Sequence, residues 1–499
     1  MKIFRLTFLI GVVVLFIIAT KSVNAQVEKK VKGIVKGTLT DNLYILNLWG
    51  NQPDKVNELY KAAYLVLSEK RDATFVDVSK NNDVQRICRE NGIVHLGGPM
   101  LGNISSDGAS VWIRTLKPST VEVVVNADGV EKSYGPVKST PASDLVAKVK
   151  INGLKPGTQN PYRVIVDGKT IEIPDHASIN TIPEETNSSL IRIAFGTCFH
   201  RWGLGNKSQV DQILRRKPAA MLLGGDIAVA DRDNKTGLHR ADYLLRDFHP
   251  AWQNLVASVP VYATWDDHDY FNNDRAGIPI GFTKSDKENV WNVFRDAWNN
   301  PSYGFGEKQK GVFFRTRIGP CDIIMTDERY FRTGKPGSFL GEEQMKWLET
   351  QLLDCKGPFI ILSSGTMWSD FVSNGKDSWG INDPRGRNQI FSLIENNKIG
   401  GVLLISGDRH GARIFRIPRP IGYNFYEFEV ASLGGWVGPQ ATDPDWCTQL
   451  YGILEEYAFG EFEFNVNVSD PIVIFRLFHE NGSLLYELKL TRSQLTPTR

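Results

Sequence analysis

From about residue 190 onward, one pattern constrains the fold of this chain more than any other. Six short apolar runs each stop in a polar cluster. Ile191-Arg-Ile-Ala-Phe195 runs into Gly196-Thr197-Cys198, and Ala220-Met-Leu-Leu223 into Gly224-Gly225-Asp226. Val259 to Thr264 runs into Trp265-Asp266-Asp267-His268-Asp269, and Asp322-Ile-Ile-Met325 into Thr326-Asp327-Glu328-Arg329. Phe359-Ile-Ile-Leu362 ends in Ser363-Ser364-Gly365-Thr366, and Val402-Leu-Leu-Ile405 in Ser406-Gly407-Asp408-Arg409-His410. Helical spacing separates several of them. Val210, Ile213 and Leu214 follow a possible cap at Ser208, and Met345, Leu348 and Leu352 mark a helix from Gly341 to Leu353. Alternating strand and helix predicts an α/β domain. Ligands of such sheets bind outside the carboxyl ends of the strands, so six polar strand ends predict one shared site at one sheet edge.

The preceding residues are organised differently. Residues 95–183 read as an all-β domain of fibronectin or immunoglobulin type. Ala109 to Thr115 and Thr120 to Val125 alternate, and Leu145–Ile151 and Tyr162–Val166 follow at short spacing. Turn residues such as Asp107-Gly108, Asp128-Gly129, Pro156-Gly157 and Asp167-Gly168 punctuate them. Packing or substrate access is the expected job of this domain. Residues 26–94 form a partly helical segment, with one helix over Asp54 to Ser68 and no catalytic cluster. Beyond Glu427 the chain alternates again and is expected to add β structure to the domain of residues 190–499.

Residues 1–25 read as a signal peptide. Met1 to Arg5 is basic, Leu6 to Ala19 is apolar but too short for a confident membrane span, and Val23-Asn24-Ala25 suits cleavage. The expected location is therefore secreted or periplasmic, with no transmembrane span in the mature chain. Cleavage removes Lys2, Arg5 and Lys21 and no acid, which brings the 58 basic and 56 acidic side chains close to balance. That balance carries no nucleic-acid-binding signature. Of the five cysteines, Cys198 lies in a polar motif. Cys321 and Cys355 begin or precede neighbouring strands, where a disulfide is possible. The twelve tryptophans are compatible with an aromatic-lined surface but assign nothing alone. Oligomeric state is not encoded in any of these patterns.

Carboxylates beside imidazole suit hard and borderline cations. Two ions about 3.5–4 Å apart can hold a hydroxide together with the attacking and leaving oxygens of a phosphoryl transfer. Asp226, after two glycines, suits a bridging ligand. Asp267 and Asp408 suit a second ion; Cys198 and His410 suit the first. His200, at Cys198-x-His200, has ligand-like spacing or is a plain loop histidine. Asp231, Asp266 and Asp269 read as supporting acids. His268 can protonate a leaving oxygen or bond the phosphoryl group. Arg329, Arg332, Arg409 and Arg413 lie near the same edge, where one or two can fork onto phosphate, with Arg329 and Arg409 the catalytic candidates.

Together, Gly196-Thr197-Cys198, Gly225-Asp226-x-x-x-Ala230-Asp231, Trp265-Asp-Asp-His-Asp269, Asp327-x-Arg329-x-x-Arg332 and Ser406-Gly-Asp-x-His410 resemble the motif series of the PhoD-like phosphatases, in order, over roughly residues 95–490. The resemblance implies a four-layer α/β/β/α metallophosphatase sandwich behind the β domain. It implies iron plus calcium or another divalent ion, and hydrolysis of phosphate esters, mono- or diester, at alkaline pH. It also implies Cys198, Asp226 and His410 as iron-site ligands and Asp226, Asp267 and Asp408 around the second ion. The family usually has a tyrosine three residues after the bridging aspartate. Here Val229 stands there. A phenolate ligand is therefore not expected, and His200 can take its place or the site can hold zinc, manganese or iron(II). Two other activities fit less closely: a phosphodiesterase or phospholipase D-like reaction at the same site, and a non-catalytic exported binding protein on a degraded phosphatase fold. The retained acids and histidines argue against the second.

Overall fold

The computed structural model describes residues 37–184, 190–333, 338–369, 378–436, 438 and 448–498. The signal-peptide reading of residues 1–25 and Cys447 lie outside them. Among the described residues, no helix is long and apolar enough to cross a membrane.

Four helices open the chain: Leu39–Leu46, Asp54–Glu69, Phe75–Lys80 and Asn82–Asn91. Thr38 and Asp41 close the first in a reciprocal capping box, which satisfies two orphan amides. The second covers the helix expected from residue 54, and its apolar stripe buries Leu59, Tyr60, Ala63 and Leu67. The fourth ends at Gly92, in the left-handed conformation of a helix C-cap. Their shared core includes Trp202, Ala241, Leu244 and Leu245, so these helices pack on the helix Thr236–Phe248.

Residues 95–180 form two antiparallel sheets. One joins His95–Gly102, Ala109–Thr115 and Val146–Ile151; the other is built from Thr120–Ala127, Val130–Lys138 and Gln159–Val166 with short edge pieces. The strand Ala109–Thr115 is buried throughout. Alternation explains this: Val111 and Ile113 face the other sheet, whereas Trp112 points the opposite way. Its indole Nε1 donates to the Asp296 carbonyl at 3.0 Å, at the end of the helix Lys284–Ala297.

Two larger sheets follow. The six-stranded sheet runs 261–263, 220–223, 191–196, 458–465, 472–479, 484–491, and the seven-stranded sheet runs 314–318, 321–325, 359–363, 402–406, 424–431, 411–418, 448–453. The strands 191–196, 220–223 and 261–263 pair in parallel, as do 321–325, 359–363, 402–406 and 424–431. Strands covered on both faces read as continuous apolar runs. Thus Ile323, Ile361 and Leu403 pack between the sheets, while Ile324, Ile360 and Leu404 face the helices Gly341–Asp354 and Pro384–Asn396. On the far side, Ala194 and Met221 face the helices Lys207–Arg216, Thr236–Phe248, Pro250–Val256 and Lys284–Ala297. Phe428 of one sheet meets Phe475 of the other at 4.6 Å between ring centroids.

Two expectations are corrected. Cys321 and Cys355 are free thiols, as are Cys88 and Cys198. Asn206, not Ser208, caps the helix Lys207–Arg216: its side chain accepts from the Gln209 amide at 3.2 Å. The tail does add β structure, but to both sheets. The strand Ala458–Asn465 inserts beside Ile191–Gly196, antiparallel to it.

Candidate metal centre

Four strand ends meet at one edge. The Cys198 amide donates to the Gly225 carbonyl at 3.1 Å and the His200 amide to the Asp226 carbonyl at 2.9 Å, tying the first two loops together. Gly225 and Gly407 permit the approach. A Cβ on Gly225 would stand 2.5 Å from that of Asp266, and one on Gly407 2.3 Å from the Thr197 hydroxyl.

The structure brings every expected ligand into this edge. Cys198, His200 and His410 offer donor atoms within 4.8 Å of one another; so do Asp226, Asp267 and His268, and so do Asp266, Asp267 and Asp408. Cys198 Sγ lies 3.6 Å from Asp226 Oδ2 and links the groups. His200 stands with the thiol and His410, so its spacing reflects real proximity. Asp266, read as a supporting acid, stands among the acids, but Arg329 Nε also donates to its Oδ1 at 2.5 Å.

The backbone is unusual at these residues. Cys198, His200, Asp226, Asp408 and His410 all have φ between 45° and 70°. Side chains with a Cβ rarely adopt that region, and such outliers concentrate where function holds them. The site is also short of hydrogen-bond partners: Asp226 Oδ1, Asp266 Oδ2 and His200 Nε2 are buried without one. Burial, and then the charges of Asp267 and Asp269, push the Asp226 carboxyl well up, against the pull of His268. Burial and the Asp226 charge likewise push the Cys198 thiol well up. Burial and the neighbouring His410 and His268 hold His200 well down, as a neutral imidazole. Buried, mutually repelling oxygens beside a neutral imidazole and a thiol form a donor set that fits cations.

Around this cluster, buried acids hold the loops. Asp269 accepts from the amides of Asp226 and Ile227, the second at 3.2 Å. Glu427 accepts from the amides of Trp368 and Ser369 and, at 2.6 Å, from the Ser406 hydroxyl. Asp327 accepts from Trp265 Nε1 at 2.7 Å and the Val312 amide at 2.9 Å. The clusters at 326–329 and 363–366 are therefore largely structural: Ser364 Oγ, for example, accepts from Trp379 Nε1 at 2.9 Å. Arg413 is also engaged, with its fully buried guanidinium pairing with Glu429 at 2.7 Å and donating to the His410 carbonyl at 3.1 Å. Arg332 donates to the Glu328 carbonyl and stacks on Phe339. Arg409 lies 3.8 Å from Asp408 Oδ2. His268 Nδ1 contacts Asp231 Oδ1 at 2.8 Å, and its ring is partly exposed. Val229 is fully buried in apolar core and offers no donor.

The packed sheets carry, at one edge, a buried donor set that fits cations. Residues 231–442 match the family described as PhoD-like phosphatase. Residues 94–184 match a domain of unknown function, DUF7800. Among solved structures, the chain is similar to PhoD with TM-score 0.57 and 16% identity, over 78% of this chain and 92% of that one. A dimetal phosphatase from Danio rerio matches with TM-score 0.39 and 12% identity, over 60% of this chain and 99% of that one. No curated protein sequence matches the chain.

Proposed function

We propose that the chain is an exported, metal-dependent phosphoric ester hydrolase, with residues 1–25 as its signal peptide and residues 190–499 as a four-layer metallophosphatase domain behind the β domain of residues 95–183. The observation that carries this reading is the convergence of Cys198, His200 and His410 with Asp226, Asp267 and Asp408 at one sheet edge. Cys198, His200, Asp226 and His410 would hold one ion; Asp226, Asp267 and Asp408 would hold the other. Iron with calcium fits by family, and zinc or manganese fits the thiolate–imidazole set equally. When bound, such ions supply Lewis acidity and an activated water.

The chain's own residues do the rest. Asp231 fixes the His268 ring through Nδ1, leaving Nε2 to give a proton to the departing oxygen. Arg409 offers a guanidinium to the phosphoryl oxygens, and Arg329 acts through Asp266, which it orients.

The test is metal analysis with turnover of p-nitrophenyl phosphate and bis-p-nitrophenyl phosphate, before chelation, after it, and after re-addition of each metal. Chelation should abolish turnover and one metal combination should restore it. The preferred ester decides between monoesterase and diesterase. Asp226→Asn that leaves both activities intact overturns the assignment.

A further inference from the structure

Beside the metal ledge stands an aromatic wall. Trp202 is buried and stacks on His200, with ring centroids 4.5 Å apart and planes 21° from parallel. Trp436 lies against Trp202 at 4.8 Å, and stands 6.5 Å from His200 and 6.2 Å from His410. Unlike Trp202, it is partly exposed. The turn that carries it is pressed onto the first ligand loop: a Cβ on Gly434 would stand 2.5 Å from the Cys198 carbonyl oxygen. Trp202 Nε1 fastens the same turn by donating to the Gly434 carbonyl at 3.0 Å.

The N-terminal helices back this wall. Trp49 Nε1 donates to the Trp202 carbonyl, and Arg201 donates to Asn42 of the helix Leu39–Leu46. Asn42 also donates to Asp242 at 3.1 Å, and Asp242 accepts both Arg232 Nε and Nη2. A buried ionic network thus holds the His200–Trp202 segment from behind.

We propose that Trp436 is a stacking shelf for the leaving group, and that the preferred substrates are phosphate esters of flat aromatic alcohols. The inference rests on the hydrolase reading above. Trp436 presents a partly exposed π-face 6.2 Å from His410, beside the edge where the phosphoryl group would bind. An aryl group stacks there; a small alkyl group leaves the indole face to water. Offset or edge-on aromatic pairs favour the aryl ligand by roughly two- to tenfold in affinity.

The experiment compares the parent with Trp436→Ala and Trp436→Phe on phenyl phosphate and ethyl phosphate. Taking the phenyl-to-ethyl ratio of kcat/KM relative to the parent cancels the intrinsic difference between the leaving groups. The ratio should fall two- to tenfold in Trp436→Ala and recover in Trp436→Phe. Equal loss on both esters, or an unchanged ratio, overturns the shelf. Calorimetric binding of phenylphosphonate and methylphosphonate to the metal-loaded protein reads the shelf without turnover. Preference for the phenyl compound that Trp436→Ala abolishes supports it; equal binding of the two by the parent overturns it. A parent that binds phenylphosphonate preferentially but hydrolyses neither these monoesters nor bis-p-nitrophenyl phosphate refutes the hydrolase reading alone.

Discussion

Asp269 tests how the centre is held. It contributes no donor to the three ligand groups, yet it accepts the amides of Asp226 and Ile227 and, weakly at 3.4 Å, that of Asp266. Asp226 sits at φ 56°, a conformation that costs about 1–2 kcal/mol for a residue with a Cβ. Hydrogen bonds to a charged acceptor contribute about 1.5–3 kcal/mol each. Two such bonds contribute about 3–6 kcal/mol against that strain, so the carboxylate holds the peptide in place. Asp269→Asn keeps the shape and leaves one acceptor oxygen. Its amide nitrogen then faces a backbone N–H, so about one such bond is lost, and the one that remains, about 1.5–3 kcal/mol, barely offsets the strain. A shift of about 1 Å at a reacting centre costs on the order of a hundredfold in rate. The expected result is a folded protein, by circular dichroism and thermal melting, with reduced metal content and kcat/KM on p-nitrophenyl phosphate down by about two orders of magnitude. Full metal content and activity within threefold of the parent would refute the reasoning.

Two further predictions follow. Because Val229 is buried apolar core, iron-loaded protein should show no tyrosinate-to-iron band. A strong visible band that survives Cys198→Ser contradicts this. His239 and His249 are buried, and burial holds each imidazole down to about 4. Near pH 6.5 and below, the unfolded chain binds protons that the folded chain refuses, so their contribution is complete above pH 6.5 and lost as pH falls toward 4. Between pH 7 and 5.5 each costs about 1 kcal/mol. The drop in melting temperature over that interval should be smaller in His249→Gln than in the parent, and an equal drop rejects the linkage.

The loops at this edge are legible because their chemistry conflicts with their position. Acids, imidazole and a thiol at the ends of apolar strands make poor core, so Cys198, Asp226, Asp267, Asp408 and His410 stand out in the sequence. At 326–329 and 363–366 the same signal has a second source. There the polar residues satisfy backbone and indole N–H groups inside the fold, as Asp327 does for Trp265 and Val312. A strand end rich in acids has two physical uses, holding a cation or holding neighbouring loops, and composition does not separate them. Pairing does, and pairing is tertiary. Arg413 shows the point from the cationic side: its charge is spent on Glu429, sixteen residues away across an antiparallel pair, so it clamps the His410 loop rather than phosphate. Trp202 and Trp436 were invisible for the opposite reason. Tryptophan is at home in any core, and the two are 234 residues apart in the chain while their rings lie 4.8 Å apart. The N-terminal helices gave an amphipathic pattern and no chemistry of their own. Their connection to the centre runs through Asn42, Asp242 and Arg201, a buried network whose members, taken singly, read as ordinary surface residues. Close contacts between distant segments are what a one-dimensional pattern lacks, and at this edge they decide which acids stand together as candidate donors and which acids brace the loops.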